Sequence, residues 1–368
     1  MGGRMAEEVT VGASLSLTGR YALQGRQAEA GLRLWAAEAN AGGGLSLETE
    51  ARRAVRIVVY DDGSRAAGLE ANLARLLDDE AADILFGPYG SNLALRAVRL
   101  AAARRRVLWN HGGASDAVAA AAPQATITGI APASSYFAPL PAFLRMADPD
   151  FDRLAILHVA EGTFGSHVAS GAAAAARQAG QKEVAAFPFT PPLSDRPEVL
   201  AAVRAWRPRA ALCAGRFEDD VWLALHRDSL GLDCRVLAAV AAGLAAFGAA
   251  AGPAAEGVLG ASHWEPPAAE QDPRPGGAGF AAHYARVYGD RPEYPAALAY
   301  AMGTVLAACA ARVRAVQDHA LRQVALGADL PTILGRFRLD AASGRQVGYR
   351  PVVVEWRGGR KRAVAPAP

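Results

Sequence analysis

The sequence predicts an α/β protein of two doubly wound lobes, each built on a parallel sheet with helices on both faces. A chain of 368 residues is longer than one hydrophobic core usually supports, so two domains are expected. From Val9 onward, short β-rich runs alternate with longer helical patterns, which is typical of parallel sheets. The alternation pauses near residues 114–137, a stretch rich in Ala, Ser, Thr and Pro, and then starts again.

Two series of β–α units follow from the hydrophobic periodicity. The strands of the first series are predicted at residues 9–15, 56–60, 83–86 and 107–109. Those of the second series are predicted at residues 154–158, 184–189, 210–213, 236–239 and 257–261. Near the C-terminus, the turn AASGR predicts a hairpin that joins strands at residues 337–339 and 349–356.

Composition excludes several classes of function. The 39 basic and 36 acidic residues are spread along the chain, which argues against a nucleic-acid partner. Two basic runs, at residues 104–106 and 357–362, are interpreted as a solvated helix end and a frayed C-terminus. No run of 18 apolar residues lacks a charged residue or glycine, so no membrane span is predicted.

The sequence also predicts no cofactor, no metal and no catalysis. Cys213, Cys234 and Cys309 lack the spacing of metal ligands. Phosphate-loop and dinucleotide fingerprints are absent, and no G-x-S-x-G elbow surrounds a serine. Lysine occurs only at Lys182 and Lys361, which disfavours Schiff-base chemistry in a cleft.

Candidate ligand-binding residues follow the strands, because open α/β sheets bind ligands beyond the carboxyl ends of their strands. The turn GPYGSN places Ser91 as the predicted N-cap of the next helix, where a hydroxyl and the helix dipole suit an anion. The turn NHGGASD offers the backbone of Gly113 and the hydroxyl of Ser115. The alternative is that both turns only cap helices.

Aromatic side chains near strand ends are candidates for the apolar walls of a binding site. They are Tyr21 and Tyr89 in the first lobe, and Phe164 and Phe217 in the second. His111 also lies in a strand-end turn. A nucleophilic triad with His111 is disfavoured, because no oxyanion motif accompanies it.

Charged candidates follow the strands of the second lobe. The planar guanidinium of Arg216 suits a carboxylate, and the alternative is a surface arginine paired with Glu218 or Asp219. Glu161, Glu218, Asp219 and Asp220 are candidates for binding an ammonium group or a metal. For at least three of these four acids, a solvated loop face is the favoured interpretation.

Several blocks occur in an order typical of one family. VTVGASLSLTGRYALQGRQAEAGLRLWAAEANAGGG contains a Leu-Thr-Gly turn and an Asn-Ala-Gly-Gly end, and RIVVYDDGS contains paired aspartates. ADILFGPYGSN, AEGVLGASHW, EYPAALAYAMGTVLAACA and GRFRLDAASGRQ follow. Over residues 9–356 the chain resembles the substrate-binding proteins of branched-chain amino-acid-type ABC importers, which have the type I periplasmic binding fold.

This resemblance implies a binding site and a division into lobes. Ser91, Gly113 and Ser115 would hold a ligand carboxylate, Phe164 would stack on the ligand, and Arg216 or Phe217 would supply the next contact. The lobes would be discontinuous, with three chain crossings acting as a hinge that closes on the ligand. The expected divisions are residues 9–130 with 266–336 for lobe one, residues 134–262 with 338–356 for lobe two, and terminal extensions at residues 1–8 and 357–368.

The resemblance implies a monomeric receptor that delivers an amino acid or a small carboxylate to a membrane permease, in the periplasm or outside the cell. The opening MGGRMAEEVTVG shows no secretion signal, so either a signal has been removed or the protein stays in the cytoplasm. In the second case, the alternative function is a cytoplasmic sensor of the same fold that binds an amide or acid and regulates a partner protein.

The sequence departs from the family at residues 239–242, which read Ala-Val-Ala-Ala. Amino-acid binders of this family place an acid there for the ligand ammonium. Either Glu161 substitutes for that acid, or the ligand is a carboxylate or amide without an ammonium group.

Overall fold

A computed structural model describes residues 8–47, 52–149, 151–266 and 276–365. The chain divides into two compact units. Unit 1 is formed by Met1–Ala131 with Pro266–Tyr349, and unit 2 by Pro132–Glu265 with Arg350–Pro368. Both units are therefore discontinuous in sequence, and the chain passes between them three times.

The described residues form sixteen strands. In chain order they are β1 (Val9–Leu15), β2 (Leu45–Ser46), β3 (Arg52–Arg53), β4 (Val55–Asp61), β5 (Ile84–Phe86), β6 (Leu108–Asn110), β7 (Thr126–Thr128), β8 (Arg153–Val159), β9 (Glu183–Phe189), β10 (Ala210–Ala214), β11 (Val236–Ala239), β12 (Leu259–Ser262), β13 (Asp329–Thr332), β14 (Gly335–Arg338), β15 (Val352–Arg357) and β16 (Arg360–Ala365).

The helices alternate with most of these strands. In chain order they are α1 (Ala22–Ala41), α2 (Ala66–Asp78), α3 (Ser91–Ala103), α4 (Asp116–Ala121), α5 (Leu140–Ala147), α6 (Phe164–Gln178), α7 (Pro197–Trp206), α8 (Phe217–His226), α9 (Ala245–Ala251), α10 (Gly277–Tyr288), α11 (Tyr294–Val313) and α12 (Asp318–Leu326).

Unit 1 is built on a parallel sheet with the strand order β4-β1-β5-β6-β7. Every residue of β1 is buried, because helices cover both faces of the sheet. One apolar cluster joins the sheet to α1 and α11, and includes Trp35, Phe86 and Trp109. A second cluster joins it to α2 and α3, and includes Leu76 and Leu93.

Unit 2 is built on a mixed sheet with the order β16-β15-β12-β11-β10-β8-β9. The strands from β9 to β12 pair in parallel, whereas β15 and β16 add an antiparallel edge. A buried cluster that includes Leu157, Leu223, Phe247 and Trp356 packs helices against this sheet. Both sheets have helices on their faces, as the sequence predicts.

Two sequence predictions near the chain crossings are wrong, and a third is wrong in part. The predicted turn does reverse the chain, since Leu339 and Gln346 form an antiparallel bridge. Residues 349–356 do not pair with 337–339, because β14 pairs with β13, and β15 pairs with β12 and β16. Residues 338–349 belong to unit 1, whereas lobe two was expected there. The third crossing therefore lies at Tyr349 and Arg350 rather than at residues 336–337.

The predicted terminal extensions and the pause at residues 114–137 also differ from the structure. Residues 357–362 do not form a frayed end. They belong to the antiparallel hairpin of β15 and β16. Residues 1–7 and 366–368 lie outside the described residues. The pause contains α4 and β7, and β7 forms the fifth strand of the unit 1 sheet.

The helix α11 is long and apolar enough to cross a membrane by length and composition, which the sequence analysis did not predict. In this structure 61% of its apolar window is buried. It packs closely on α1, since a Cβ at Gly31 would lie 2.1 Å from the Ala296 carbonyl oxygen and one at Gly303 would lie 2.2 Å from the Trp35 ring. We therefore assign α11 to the core of unit 1.

Candidate functional site

In unit 1, Ser91 links the turns that follow β5 and β6. It is the first residue of α3, and Gly90, not Ser91 as predicted, occupies the N-cap position. No side chain accepts a bond from the start of α3 in place of the predicted cap. The Ser91 hydroxyl oxygen instead accepts the N–H of Ser115 at 2.9 Å.

Ser115 caps α4, which the sequence analysis gave as the structural alternative for this residue. Its hydroxyl oxygen accepts the N–H of Ala117 at 3.3 Å. The next residue, Asp116, forms an ion pair with Arg345 at 2.8 Å. Through the Ser91 contact, the starts of α3 and α4 lie side by side at the carboxyl edge of the sheet.

Close packing explains why glycine occupies the N-cap of α3. Gly90 has a φ of +93°, and a Cβ there would lie 2.8 Å from the ring of Tyr21. The Gly90 N–H donates to the Gly112 carbonyl at 3.1 Å, which joins the two turns a second time. A side chain at Gly112 is also excluded, since its Cβ would lie 2.8 Å from the Pro88 carbonyl oxygen.

The structure places Tyr21 and Tyr89 together beside these turns. Their ring centroids lie 5.8 Å apart, and both residues are half-buried. The Tyr89 hydroxyl lies 2.5 Å from that of Tyr294, at the start of α11. Burial raises the pKa of Tyr89, so its hydroxyl stays protonated and can act as a hydrogen-bond donor.

Gly113 and His111 are buried, so neither is exposed at the carboxyl edge of the sheet. Asn110 binds both polar groups of the Gly113 backbone, at 2.8 Å to the N–H and 2.9 Å to the carbonyl. His111 packs 6.2 Å from Phe86 between ring centroids. Burial lowers the pKa of His111 to about 4, so its imidazole is neutral near pH 7.

The paired aspartates at the end of β4 fix the same edge of the sheet, a role that the sequence analysis did not assign. Asp61 accepts the Leu17 N–H at 2.8 Å and the Thr18 hydroxyl at 2.6 Å. Asp62 is buried and accepts the Ser16 hydroxyl at 2.6 Å. Burial raises the pKa of Asp62, and bonds from serines oppose that change. Both carboxylates fix the end of β1 against the end of β4.

In unit 2, Phe164 begins α6 and belongs to an aromatic cluster. The Phe164 and Tyr136 rings form a T-shaped pair with their centroids 5.4 Å apart. The Tyr136 and His263 rings form a second T-shaped pair with their centroids 4.8 Å apart. Burial lowers the pKa of His263 to about 3, so this ring is also neutral near pH 7. Sequence reasoning missed Tyr136 and His263, which lie in segments without clear periodicity.

Arg216 pairs with Glu161, not with Glu218 or Asp219 as the sequence analysis considered. The guanidinium lies 2.9 Å from the Glu161 carboxylate, and both side chains are substantially exposed. The pair connects the turn after β8 with the turn after β10. Phe217, the first residue of α8, packs against the hydrophobic cluster of the unit.

Asp219 and Asp220 are buried, so the prediction of a solvated acidic loop is wrong for these two residues. Asp219 accepts the N–H groups of Leu193 at 2.7 Å and of Arg216 at 3.0 Å. Asp220 accepts those of Gly215 at 2.9 Å and of Ala241 at 2.8 Å. Buried backbone donors require acceptors, and the two carboxylates supply them.

The turn after β11 is held by the C-terminal hairpin of β15 and β16. The Trp356 indole donates to the Ala242 carbonyl at 2.9 Å, and the Lys361 ammonium donates to the Gly243 carbonyl at 2.6 Å. Lys361 also pairs with Glu265 at 2.7 Å, with side chains only 10% and 15% exposed. Residues 239–242 read Ala-Val-Ala-Ala and carry no acidic side chain.

Among the described residues, no group of three or more His, Cys, Asp or Glu side chains is placed to hold a metal ion. The carboxyl edge of the unit 1 sheet carries the hydroxyl groups of Ser91 and Ser115. The carboxyl edge of the unit 2 sheet carries aromatic rings and one exposed ion pair.

Comparison with known proteins identifies the class to which this fold belongs. The family model for periplasmic binding proteins matches residues 8–360. The chain therefore belongs to the periplasmic binding protein family, and the fold class predicted from the sequence, two lobes of the type I fold, is confirmed.

Solved structures of similar fold cover nearly the whole chain. The leucine-binding protein LivK of Thermotoga maritima is 18% identical, with a TM-score of 0.84 and 98% of each chain covered. A solute-binding protein of an ABC transporter of R. palustris, in complex with benzoate, is 20% identical, with a TM-score of 0.78 and 98% of each chain covered. The substrate-binding protein LivJ of Streptococcus pneumoniae, in complex with isoleucine, is 17% identical, with a TM-score of 0.81, covering 98% of this chain and 100% of that one.

Proposed function

We propose that this chain is the solute-binding receptor of an ABC importer and that its ligand is a small organic carboxylate. The observation that carries the proposal is the start of α3 beside Ser91, where a glycine replaces a capping side chain. The first N–H groups of a helix have no partner within the helix, and the helix dipole makes this end positive. Together they favour an anionic group.

Ser91 is proposed to donate its hydroxyl hydrogen to the ligand carboxylate. Its oxygen already accepts the Ser115 N–H, which fixes the hydroxyl between two turns and polarises it toward donation. Phe164 remains a proposed ligand contact, and within unit 2 its ring packs against Tyr136. Arg216 is a weaker candidate for the carboxylate, because it is already paired with Glu161.

Two of the similar proteins support a carboxylate ligand. The R. palustris protein is in complex with benzoate and the S. pneumoniae protein with isoleucine, and both molecules carry a carboxylate on an apolar body. Membership of the family supports a periplasmic receptor that passes its ligand unchanged to a membrane permease. Uptake of a labelled ligand by cells that lack the protein would test the transport role.

Substitution of Ser91 by alanine tests the proposed contact. We expect Ser91→Ala to weaken carboxylate binding by about 1.5 to 3 kcal/mol, or roughly ten-fold to a hundred-fold, because a charge-assisted hydrogen bond is lost. Isothermal titration calorimetry measures the change. Ser170→Ala is the matched control, since Ser170 is exposed on α6. Equal affinities in Ser91→Ala and the parent would remove Ser91 from the site.

A further inference from the structure

An ion pair between distant parts of unit 1 holds the start of α4. The Arg345 guanidinium donates to the Asp116 carboxylate at 2.8 Å, across 229 residues of chain. Asp116 is the first residue of α4 and directly follows Ser115. The Asp116 side chain is 14% exposed, whereas that of Arg345 is 44% exposed. The carboxylate is therefore largely shielded from water, and its charge is screened less than that of an exposed acid.

The charge of Asp116 lies close to the proposed carboxylate contact. The Ser115 N–H donates to the Ser91 hydroxyl oxygen at 2.9 Å. Standard bond lengths then keep the Asp116 carboxylate within about 12 Å of that oxygen. The Debye length is about 8 Å at physiological ionic strength and about 30 Å at about 0.01 M. An anion bound at Ser91 is therefore within electrostatic reach of Asp116, most strongly at low salt.

The segment after β14 holds Arg345 in a defined turn. The Arg345 carbonyl accepts the N–H of Asp340 at 2.8 Å, and its own N–H donates to the Ser343 hydroxyl at 3.4 Å. The Asp340 carboxylate accepts the N–H and the hydroxyl of Ser343, at 2.8 Å and 2.6 Å. This nearby acid is thus bound within the turn, and the Arg345 guanidinium pairs with the distant Asp116 instead.

We propose that Arg345 allows anions to bind at Ser91 by balancing the charge of Asp116. The inference rests on the proposed function, and adds a residue that determines specificity by acting through another residue. With Arg345 in place, the ion pair is neutral as a whole, and an anionic head group can approach Ser91. Without Arg345, the charge of Asp116 would repel that head group, whereas a neutral head group would be little affected. All three residues belong to unit 1.

Substitution of Arg345 by glutamine removes the balancing charge. The probes are benzoate and leucine, each titrated beside its own amide by calorimetry. We expect Arg345→Gln to weaken binding of the acid about five-fold to ten-fold at about 0.01 M salt, and far less at about 1 M, where the Debye length is about 3 Å. The amide should bind the variant no more weakly than the parent. An equal loss for acid and amide, or a loss independent of salt, would overturn the inference.

Further variants distinguish charge from structure. Adding Asp116→Asn to Arg345→Gln should restore the affinity for the acid, because the repelling charge is gone. Asp116→Asn alone should bind the acid at least as tightly as the parent, which keeps the inference testable should Arg345→Gln not fold. Arg104→Gln is the matched control, since Arg104 pairs with Asp78 at 2.9 Å at the other end of α3 and should not affect binding. Weaker binding by Asp116→Asn, or no recovery in the double variant, would contradict the proposed role.

The proposed function and this inference fail in different ways. If neither acid binds the parent protein, the proposed function fails and the inference falls with it. If an acid binds, and Ser91→Ala weakens its binding while Arg345→Gln does not, only the inference fails.

Discussion

The position of Ser91 shows why single residues of a site are harder to predict than the turn that contains them. The turn after β5 is visible in the sequence, but the N-cap falls on Gly90, because the Tyr21 ring leaves no space for a Cβ there. A contact between residues so far apart in sequence leaves no local signal. The prediction of solvated acids at Asp219 and Asp220 failed for a similar reason, since Leu193 and Ala241, which they bind, lie on other turns.

Asp220 should make the stability of unit 2 depend on pH. Burial raises its pKa from 3.8 to about 7, against the lowering effect of bonds from Ala241, Cys213 and Gly215, and nearby Asp219 raises it slightly. A carboxyl whose pKa is raised by folding stabilises the folded state fully below the unfolded pKa. That contribution is lost as the pH rises through the folded pKa.

We therefore expect the parent protein to lose a few kcal/mol relative to Asp220→Asn as the pH rises from about 4 to about 7. Denaturant unfolding of both proteins across this range measures the difference, and the contributions of other groups cancel in the comparison. The substitution itself lowers stability by an amount that does not depend on pH. An asparagine side chain has an NH2 donor in place of one of the two oxygens that accept backbone N–H groups. Parallel stability curves from pH 4 to 8 would show that Asp220 does not titrate there.

Secondary structure elements were predictable where their hydrophobic pattern is strong and became unpredictable at the sheet edges. The buried strands β5 and β10 are continuous apolar runs, and β1 and β8 are largely apolar. All four were predicted from the sequence. The edge strand β16 reads Arg-Lys-Arg-Ala-Val-Ala, and its charges resemble those of a frayed end. It is nevertheless a strand that pairs with β15, and its Lys361 binds Gly243 and Glu265 inside the unit.

Removal of the Lys361 ammonium should destabilise unit 2. We expect Lys361→Met to lower the free energy of unfolding by about 2 to 4 kcal/mol, because a largely buried Glu265 and the Gly243 carbonyl lose their partner. Lys182→Met is the control, since Lys182 is the other lysine of the chain and is exposed. Denaturant unfolding measures both variants, and similar small losses would contradict the assigned role of Lys361.

A double-mutant cycle isolates the ion pair. Adding Glu265→Gln to Lys361→Met should recover part of the lost stability, because the second change removes the unpaired buried carboxylate. If the two losses simply add, the Lys361 and Glu265 charges do not interact energetically.

At the scale of the whole molecule, each unit is completed by segments that are distant in sequence. Tyr349 illustrates this, because its hydroxyl accepts the Ala131 N–H at 3.0 Å and donates to the Gly129 carbonyl at 3.2 Å. The first and third chain crossings are thereby joined within unit 1. The discontinuous plan was predictable from the family resemblance, but the third crossing was not, because residues 339–349 lack hydrophobic periodicity.

The most direct test of carboxylate binding is a thermal-shift comparison of benzoate, benzamide and benzylamine, three molecules with one ring and different head groups. A ligand at about 100 times its dissociation constant adds about 2.7 kcal/mol of stability. We expect benzoate to raise the melting temperature of the parent protein, benzylamine to leave it unchanged, and Ser91→Ala to lose most of the benzoate effect. Stabilisation by benzylamine but not by benzoate, or an equal benzoate effect in Ser91→Ala, would contradict a carboxylate site at the start of α3.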